Sequence, residues 1–313
     1  MQLWIFLSIT AYFLLALNGV ADKFLLSKAV RHPIAYAFYV GITGPLTLVI
    51  IPIGYLGSWL NISFLKTNLS FQFLSGPDTL VALLGGACFP LALYFSYKAI
   101  QQTSISRILP IQGGLVPLFT LLFAYAILGE RLSQNQLAAF IFLVLGAVLI
   151  SLKKKHGEWV AVAFGNAIIS SLLFALSLTL TKYIFLHSNF GSGLVWTRIG
   201  FFLVSASFLI SAKSRSYIFN APGETSAGNK FVYLGARISG GLAGVTQNYA
   251  ISIGSVTLVN ALQGTQYAFL LILATILSVR FPKILKEDVS REKILLKICS
   301  IILISLGLFY LTK

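Results

Sequence analysis

The stretch QGGLVPLFTLLFAYAILGERL, residues 112–132, carries the pattern that decides the fold of this chain. It holds no charged residue between Gly113 and Leu128, and Gly129, Glu130 and Arg131 then follow in a row. A core helix of a soluble domain has a polar stripe along one face, and this stretch has none. About twenty apolar residues in a helix cross the ~30 Å hydrocarbon layer of a bilayer. The stretch is therefore predicted to be a membrane-spanning helix that ends at the charged pair.

The composition extends this interpretation to the whole chain. Its 313 residues are 57% hydrophobic and only 10% charged, and the mean hydropathy is +0.88. Soluble domains carry roughly a quarter charged residues. The start of the chain, MQLWIFLSITAYFLLAL, shows no basic leader and no small-residue cleavage site, so the first apolar run is expected to stay as an anchor.

Apolar runs of spanning length follow one another along the chain, and their short connections favour helical hairpins. The predicted fold class is an all-α integral membrane protein with ten transmembrane helices. These lie near residues 3–22, 33–57, 78–100, 106–129, 132–152, 159–182, 190–211, 230–251, 255–279 and 294–312. The two longest connections are residues 58–77 and 212–229. Three prolines are expected to interrupt helices three and four, namely Pro90, Pro110 and Pro117.

The two halves of the chain resemble each other in sequence. LLALNGVADK (14–23) aligns with LFALSLTLTK (173–182). Further along, KAIQQTSISRILPIQGG (98–114) aligns with YAISIGSVTLVNALQGT (249–265), which pairs Gln112 with Gln263.

An odd number of spans in each half has a consequence for topology. The second half must enter the membrane from the opposite side, as in many transporters built from inverted repeats. We therefore predict two inverted five-helix repeats, residues 1–152 and 153–313.

The distribution of Lys and Arg predicts the orientation. If the N-terminus faces outside, seventeen of these residues fall on the inner face, and only Lys66, Arg131, Lys182 and Lys313 fall on the outer one. The positive-inside rule then places the termini on the extracytoplasmic side, and a bacterial cytoplasmic membrane is the expected location. The net charge of +15 favours anionic lipid headgroups as partners, and no nucleic acid. A monomer or a homodimer is expected.

The stretch YKAIQQTSISRILPIQGGLVPLFTLLFAYAILGERLSQNQLAAFIFLVLGAVLI, residues 97–150, resembles the EamA-type repeat of the drug/metabolite transporter superfamily. The features that carry the resemblance are Ala99, Thr103-Ser104, Pro117, Gly129-Glu130-Arg131, Gln136 and Gly146. The second half departs from the pattern, since Arg280-Phe281-Pro282 stands where Gly-Glu-Arg is expected and Ala268 replaces the proline.

The resemblance implies a ten-helix permease for small metabolites, with helices five and ten peripheral and the others around a central cavity. It also implies that Glu130 and Arg131 mark a helix end rather than a substrate contact. Family members are often drawn with cytoplasmic termini, whereas the charge count here indicates the opposite orientation.

Two arginines are predicted to lie deep in the membrane, where a charged side chain costs about 2.5–3.5 kcal/mol on insertion scales. Arg198 in helix seven and Arg237 in helix eight each lie about two helical turns from their own entry side, and those sides are opposite. On helix eight, Arg237, Gly241, Gly244 and Asn248 share one face. This face predicts either a groove for an anionic group or close packing through small residues.

Polar residues in other spans complete the candidate site. Gln112 and Gln263 are expected to face each other across the pseudo-symmetry axis. Buried amides need hydrogen-bond partners, which either a polar solute or a neighbouring helix can supply. The predicted substrate-binding residues are Gln112, Gln263, Asn260, Arg237, Asn248, Gln247, Asn18, Tyr267 and Arg198. For Arg198 the resemblance also implies a structural role as the alternative, since the family often carries an arginine at this position.

The sequence gives no indication of catalysis, of metal binding or of proton-coupled transport of cationic drugs. The three histidines match no metal or catalytic spacing, so no enzyme activity, metal or cofactor is expected. Cys88 and Cys299 are predicted to be buried, unpaired thiols. No glutamate lies deep in a span, which disfavours exchange of cationic drugs for protons.

The leading hypothesis for the function is therefore a secondary transporter. It would export or exchange a small polar metabolite, such as an amino acid or a related neutral or anionic solute, by alternating access. The alternative is a flippase-like carrier of a lipid-linked anionic substrate.

Overall fold

The computed structural model describes residues 2–26, 32–103, 105–151, 161–219, 227–280 and 291–312, and every regular element in these ranges is a helix. The first half contains α1 (Leu3–Leu26), α2 (Pro33–Gly41), a 3-10 segment (Gly44–Val49), α3 (Ile50–Trp59), α4 (Ser63–Leu69), α5 (Gly76–Gln102), α6 (Ile105–Leu128) and α7 (Gln134–Ser151). The second contains α8 (Ala161–His187), α9 (Phe190–Ser207), α10 (Ala212–Phe219), α11 (Ala227–Ile253), α12 (Val256–Ala261), α13 (Gln263–Arg280) and α14 (Arg291–Thr312).

The end of α6 confirms the prediction from the opening stretch. The helix stops at Leu128, and Gly129 has a φ of +66°, a left-handed conformation that glycine adopts without strain. The backbone N–H of Glu130 then donates to the carbonyl of Ala124 at 3.1 Å. Gly-Glu-Arg is therefore a helix stop.

A capping box begins the next helix, α7. The backbone N–H of Gln136 donates to Ser133 Oγ at 3.3 Å, and Gln136 Oε1 accepts from the backbone N–H of Ser133 at 2.9 Å. Ser133 and Gln136 thus satisfy two of the free N–H groups at the start of the helix.

Each of the ten predicted spans coincides with helix in the described residues, but fewer pass a test of length and hydropathy. Five segments are long and apolar enough to cross a membrane, namely 33–59, 76–102, 108–128, 161–187 and 256–273. The pair α9 and α10 makes a sixth if it counts as one span bent by 102°. Shorter apolar helices cover 3–19, 134–150 and 298–312. The described residues thus contain five or six candidate spans, as expected for a multi-pass membrane protein, and the ten-span arrangement stays a prediction.

Helices from the two halves pack against each other. In the centre, α5 lies against α8 and α9, and α1 lies against α11 and α13. Helices α7 and α14 pair at the edge of the bundle. Gly86 of α5 meets the backbone of α9 at Thr197, and Gly200 of α9 meets the backbone of α5 at Leu83, so these helices touch where side chains are absent.

Two expectations about single residues need correction. Helix α5 continues through Pro90, and α6 continues through Pro110 and Pro117, because the surrounding apolar helix holds its geometry without the lost backbone bonds. Both cysteines are free, as expected, but Cys88 is only half-buried and Cys299 is exposed. The outward side of a membrane helix faces lipid, so an exposed apolar position there needs no protein cover.

Candidate solute-binding site

Gln112 of α6 joins three helices by hydrogen bonds. Its Nε2 donates to Ser96 Oγ on α5 at 2.8 Å and to Ser170 Oγ on α8 at 2.9 Å. Ser170 in turn donates to the carbonyl of Ala92 on α5 at 2.9 Å. Ser96 and Ser170 are buried, whereas Gln112 keeps partial exposure. This cluster, Ser96-Gln112-Ser170, is called the first polar junction below.

A second polar junction joins α1, α11 and α12. The hydroxyl of Tyr12 donates to the carbonyl of Val259 at 2.8 Å and accepts from Gln247 Nε2 at 3.2 Å. Tyr12 is only 1% exposed. Gln247 is among the predicted site residues, whereas Tyr12, Ser96 and Ser170 are not, because hydroxyl side chains in apolar helices commonly bond their own backbone.

The predicted residues of helix nine divide between two environments. Asn260 of α12 is buried, and its Nδ2 donates to Thr120 Oγ1 of α6 at 2.7 Å. Gln263, the first residue of α13, is half-buried, and none of the described residues forms a hydrogen bond with its side chain. Tyr267 lies against Gly113, with its ring Cε2 3.4 Å from the position that a Cβ would take there. Gln112 and Gln263 therefore do not bond each other.

The predicted polar face of α11 is approached from two sides. Asn18 of α1 lies against Gly240, with Nδ2 and Oδ1 both 3.5 Å from the position of a Cβ. Arg198 of α9 reaches Gly244, with Nη2 3.6 Å from the corresponding position. Asn248 Nδ2 donates to the carbonyl of Gly244 at 2.8 Å. Arg198 and Asn248 are thus brought to the same turn of α11.

Arg237, the remaining predicted residue, lies in α11, but its side chain falls outside the described part of the structure. Within the ranges that are described, no group of three His, Cys, Asp or Glu side chains can hold a metal ion.

Lys182 corrects the charge count made from the sequence. The count places Lys182 on the outer face, at the end of the predicted span 159–182, whereas it lies within α8 and is 8% exposed. Its Nζ donates to the carbonyls of Ile251 and Ser252 at 2.9 and 3.0 Å, and so satisfies the C-terminal end of α11.

A cavity of about 450 Å³ lies beside this contact at the ends of α6 and α8. Its polar lining includes Glu130, Lys182 and Ser255. Ser255, the N-cap of α12, donates its hydroxyl to Glu130, so the turn between α11 and α12 is held by α8 and by the connection after α6.

Comparison with known proteins identifies the first half of the chain. Residues 2–152 match the sequence model described as the EamA-like transporter family. Residues 2–152 of the chain belong to the EamA-like transporter family. This family is part of the drug/metabolite transporter superfamily, so the resemblance found in the sequence is confirmed. An EamA-like protein is a membrane transporter, and members of the family are transporters rather than enzymes.

Similarity over the full length comes from a solved structure titled "Crystal structure of protein". It is 17% identical in sequence, with a TM-score of 0.67, and the match covers 99% of this chain and 96% of that one. At this identity the similarity concerns the fold alone. No curated protein matches the sequence of this EamA-like chain.

Proposed function

We propose that this EamA-like protein is a secondary transporter that moves a small polar solute through the bundle by alternating access. The observation that carries the proposal is the pair of polar junctions, which set hydrogen-bonding groups among apolar helices. Polar side chains within a membrane are costly unless a partner satisfies them, and in transporters they commonly line a substrate path. Gln112 and Gln263 are only partly buried, and we expect a solute to reach their amides.

The relation between the junctions supports two inverted repeats of five helices. In the alignment of residues 98–114 with 249–265, extended by two residues, Ser96 corresponds to Gln247. Ser96 bonds Gln112 in the first polar junction, and Gln247 bonds Tyr12 in the second. Related positions thus perform related tasks in the two halves.

The helix pairs support the same arrangement. The contact of α5 with α8 has its counterpart in that of α11 with α1. The contact of α6 with α8 corresponds likewise to that of α13 with α1. Each half therefore packs its third and fourth spans against the first span of the other half. A rocking movement of one half against the other would expose the junctions to each side of the membrane in turn.

Transport by purified protein in liposomes tests the proposal. Solutes that raise the unfolding temperature, from a set containing serine, glutamine, glucose and lactate, are labelled and followed into proteoliposomes and into protein-free liposomes. We expect protein-dependent uptake of at least one such solute, and faster uptake when the unlabelled solute is already inside. Uptake that is equal with and without protein would contradict the proposal.

A second candidate function is the flipping of a lipid-linked anion, and the exposed face of α11 at Gly241 favours it. Gly241 is exposed, and no atom of the described residues lies within 4 Å of its Cβ position. The neighbouring Leu242 and Ile238 are 54% and 63% exposed, as expected for side chains that face lipid. Movement of a fluorescent anionic lipid between leaflets, without uptake of any soluble compound, would favour this alternative.

The proposed orientation places both termini on the extracytoplasmic side, with the basic face toward the cytoplasm. A fluorescent protein that folds only in the cytoplasm, fused after Lys313, is expected to stay dark. Fluorescence from this fusion would reverse the proposed orientation.

A further inference from the structure

Arg198 carries a charge in the middle of its helix. Helix α9 begins at Phe190 and ends at Ser207, so Arg198 lies eight residues after its start and nine before its end. Each end of the helix is therefore about 12 Å away along the helix axis. At that depth an arginine is expected to pair with an acidic side chain, with backbone carbonyls or with a ligand.

The described structure supplies no such partner to Arg198. Its guanidinium lies over the ring of Phe201, 5.2 Å from the ring centre, and it forms no hydrogen bond or ion pair with the described residues. A cation–π contact with a residue of the same helix accepts none of the five N–H donors of the guanidinium. Arg198 is only partly buried, and we expect a solute to reach these donors.

The acidic residues stand far from this position along the chain. In the sequence, all eight fall within or beside the connections between the predicted spans. Of those whose side chains are described, Asp78 bonds Ser75 at the start of α5, and Glu130 bonds Ser255. Asp22 lies one turn after Asn18 on α1. Helices α1 and α11 run antiparallel, so the backbone position of Asp22 is at the height of Arg237 along α11, and not at the height of Gly244.

The helix opposite Arg198, α11, presents a glycine and an amide to it. Gly244 presents no side chain toward the guanidinium, and Asn248 offers an amide one turn further on. The two helices α9 and α11 meet at few positions, in contrast to the close packing of α11 against α1. The space beside Arg198 is therefore bounded by glycine backbone and an amide.

The other half of the chain lacks both features. In the repeat alignments, Arg198 corresponds to Tyr39 and Gly244 corresponds to Leu93. The Tyr39 hydroxyl is satisfied, since it donates to the carbonyl of Ile218 at 2.8 Å. The cation and the space opposite it thus occur together in one half only, which indicates a ligand-specific role rather than a requirement of the fold.

We infer that the transported solute carries an anionic group, a carboxylate or a phosphate, and that the Arg198 guanidinium binds this group in the space beside Gly244. This inference rests on the proposed function, because it names the chemical class of the solute. A planar guanidinium can bind two oxygens of a carboxylate or phosphate at once, which a neutral amide cannot match. The position of Arg198 in the middle of α9 favours a soluble anion over a lipid headgroup, which stays near the membrane surface.

Matched pairs of probes test the charge requirement. Succinate and succinamide, lactate and lactamide, and inorganic phosphate are titrated into the full chain in nanodiscs of phosphatidylcholine, with the unfolding temperature and binding heat as readouts. At least one anion is expected to bind, and its amide at least about tenfold more weakly. Arg198→Gln is expected to abolish this preference, and Arg198→Lys to keep part of it. Arg131→Gln is the matched control, because Arg131 is an exposed arginine that also lies over an aromatic ring, that of Tyr125 in the preceding helix.

The possible outcomes separate the two proposals. Equal binding of acid and amide by the wild type, no binding of any anionic probe, or an undiminished preference in both Arg198 variants overturns the inference. Neutral solutes transported equally by wild type and Arg198→Gln would leave the transporter proposal standing and refute this one. A parallel series in nanodiscs with phosphatidylglycerol checks the lipid source. If phosphatidylglycerol raises the unfolding temperature of the wild type but not of Arg198→Gln, and no soluble anion does so, the proposal of a soluble anion would also be refuted.

Discussion

Lys182 of α8 donates a hydrogen bond from its Nζ to the carbonyl of Ile251, 2.9 Å away at the end of α11. The same ammonium reaches the carbonyl of Ser252 at 3.0 Å. A lysine that looks from the sequence like a surface charge thus satisfies two carbonyls that the helix end leaves free.

The Lys182→Met variant tests the strength of this contact. The change keeps most of the side-chain volume but removes the ammonium, and it should lower the free energy of unfolding by about 1–3 kcal/mol. Thermal unfolding in detergent measures the effect, with Lys66→Met, at an exposed lysine of α4, as the control. Equal shifts in the two variants would show that the contact adds no stability.

The bond between Ser255 and Glu130 should appear as coupling between two substitutions. Ser255→Ala removes the N-cap of α12 and should cost about 1 kcal/mol, while Glu130→Gln weakens the bond from the other side. Because the residues share one interaction, the double variant should lose less stability than the sum of the two single losses. Strict additivity in a double-mutant cycle would argue against the bond.

The two repeat-related glutamines should respond differently to substitution by leucine. Gln112→Leu breaks the first polar junction, so it should lower both transport and stability, the latter by about 1–3 kcal/mol. Gln263→Leu removes no hydrogen bond to the described residues, so it should reduce transport with stability near that of the wild type. Gln134→Leu, at an exposed position, is the control. Normal transport by both variants would exclude these amides from the solute path.

Thr120→Val tests the link between α6 and α12. The substitution keeps the shape of the side chain but removes the oxygen that accepts from Asn260 Nδ2. An amide donor left unsatisfied in a buried site costs about 1–3 kcal/mol, which unfolding measurements in detergent can resolve. Thr43→Val, at an exposed threonine, should have little effect. A loss below a few tenths of a kcal/mol at Thr120 would imply that Asn260 finds another acceptor.

His32, just before α2, should make stability depend on pH. Its Nδ1 accepts from the backbone N–H of Ile34, and its ring stacks on Tyr217 with centroids 3.7 Å apart. Desolvation and the nearby Lys213 ammonium lower the pKa of His32 below the ordinary 6.5. The neutral ring is therefore favoured by folding, and stability should fall as the pH drops from 6.5 toward the lower pKa of the folded state.

Unfolding temperatures measured between about pH 5 and 8 check this expectation. His32→Asn keeps a capping side chain without a titratable group and should flatten the profile. Lys213→Met should shift the midpoint of the decline to higher pH, because one cause of the lowered pKa is removed. A profile for His32→Asn that matches the wild type would assign the dependence to another group.

The sequence by itself determined where the helices lie and where α6 ends. The length of an apolar run and the left-handed conformation of Gly129 are local properties, so neighbouring residues suffice to predict them. The capping role of Ser133 and Gln136 is equally local.

Only the tertiary structure decided which polar side chains meet. Gln112 bonds Ser170 across 58 residues of chain, and Gln247 bonds Tyr12 across 235, so no local pattern pairs them. A polar residue in an apolar helix can bond its own backbone, a neighbouring helix or a solute, and packing selects among these. For this reason Gln112 and Asn260 have protein partners, whereas Arg198 remains unpaired among the described residues.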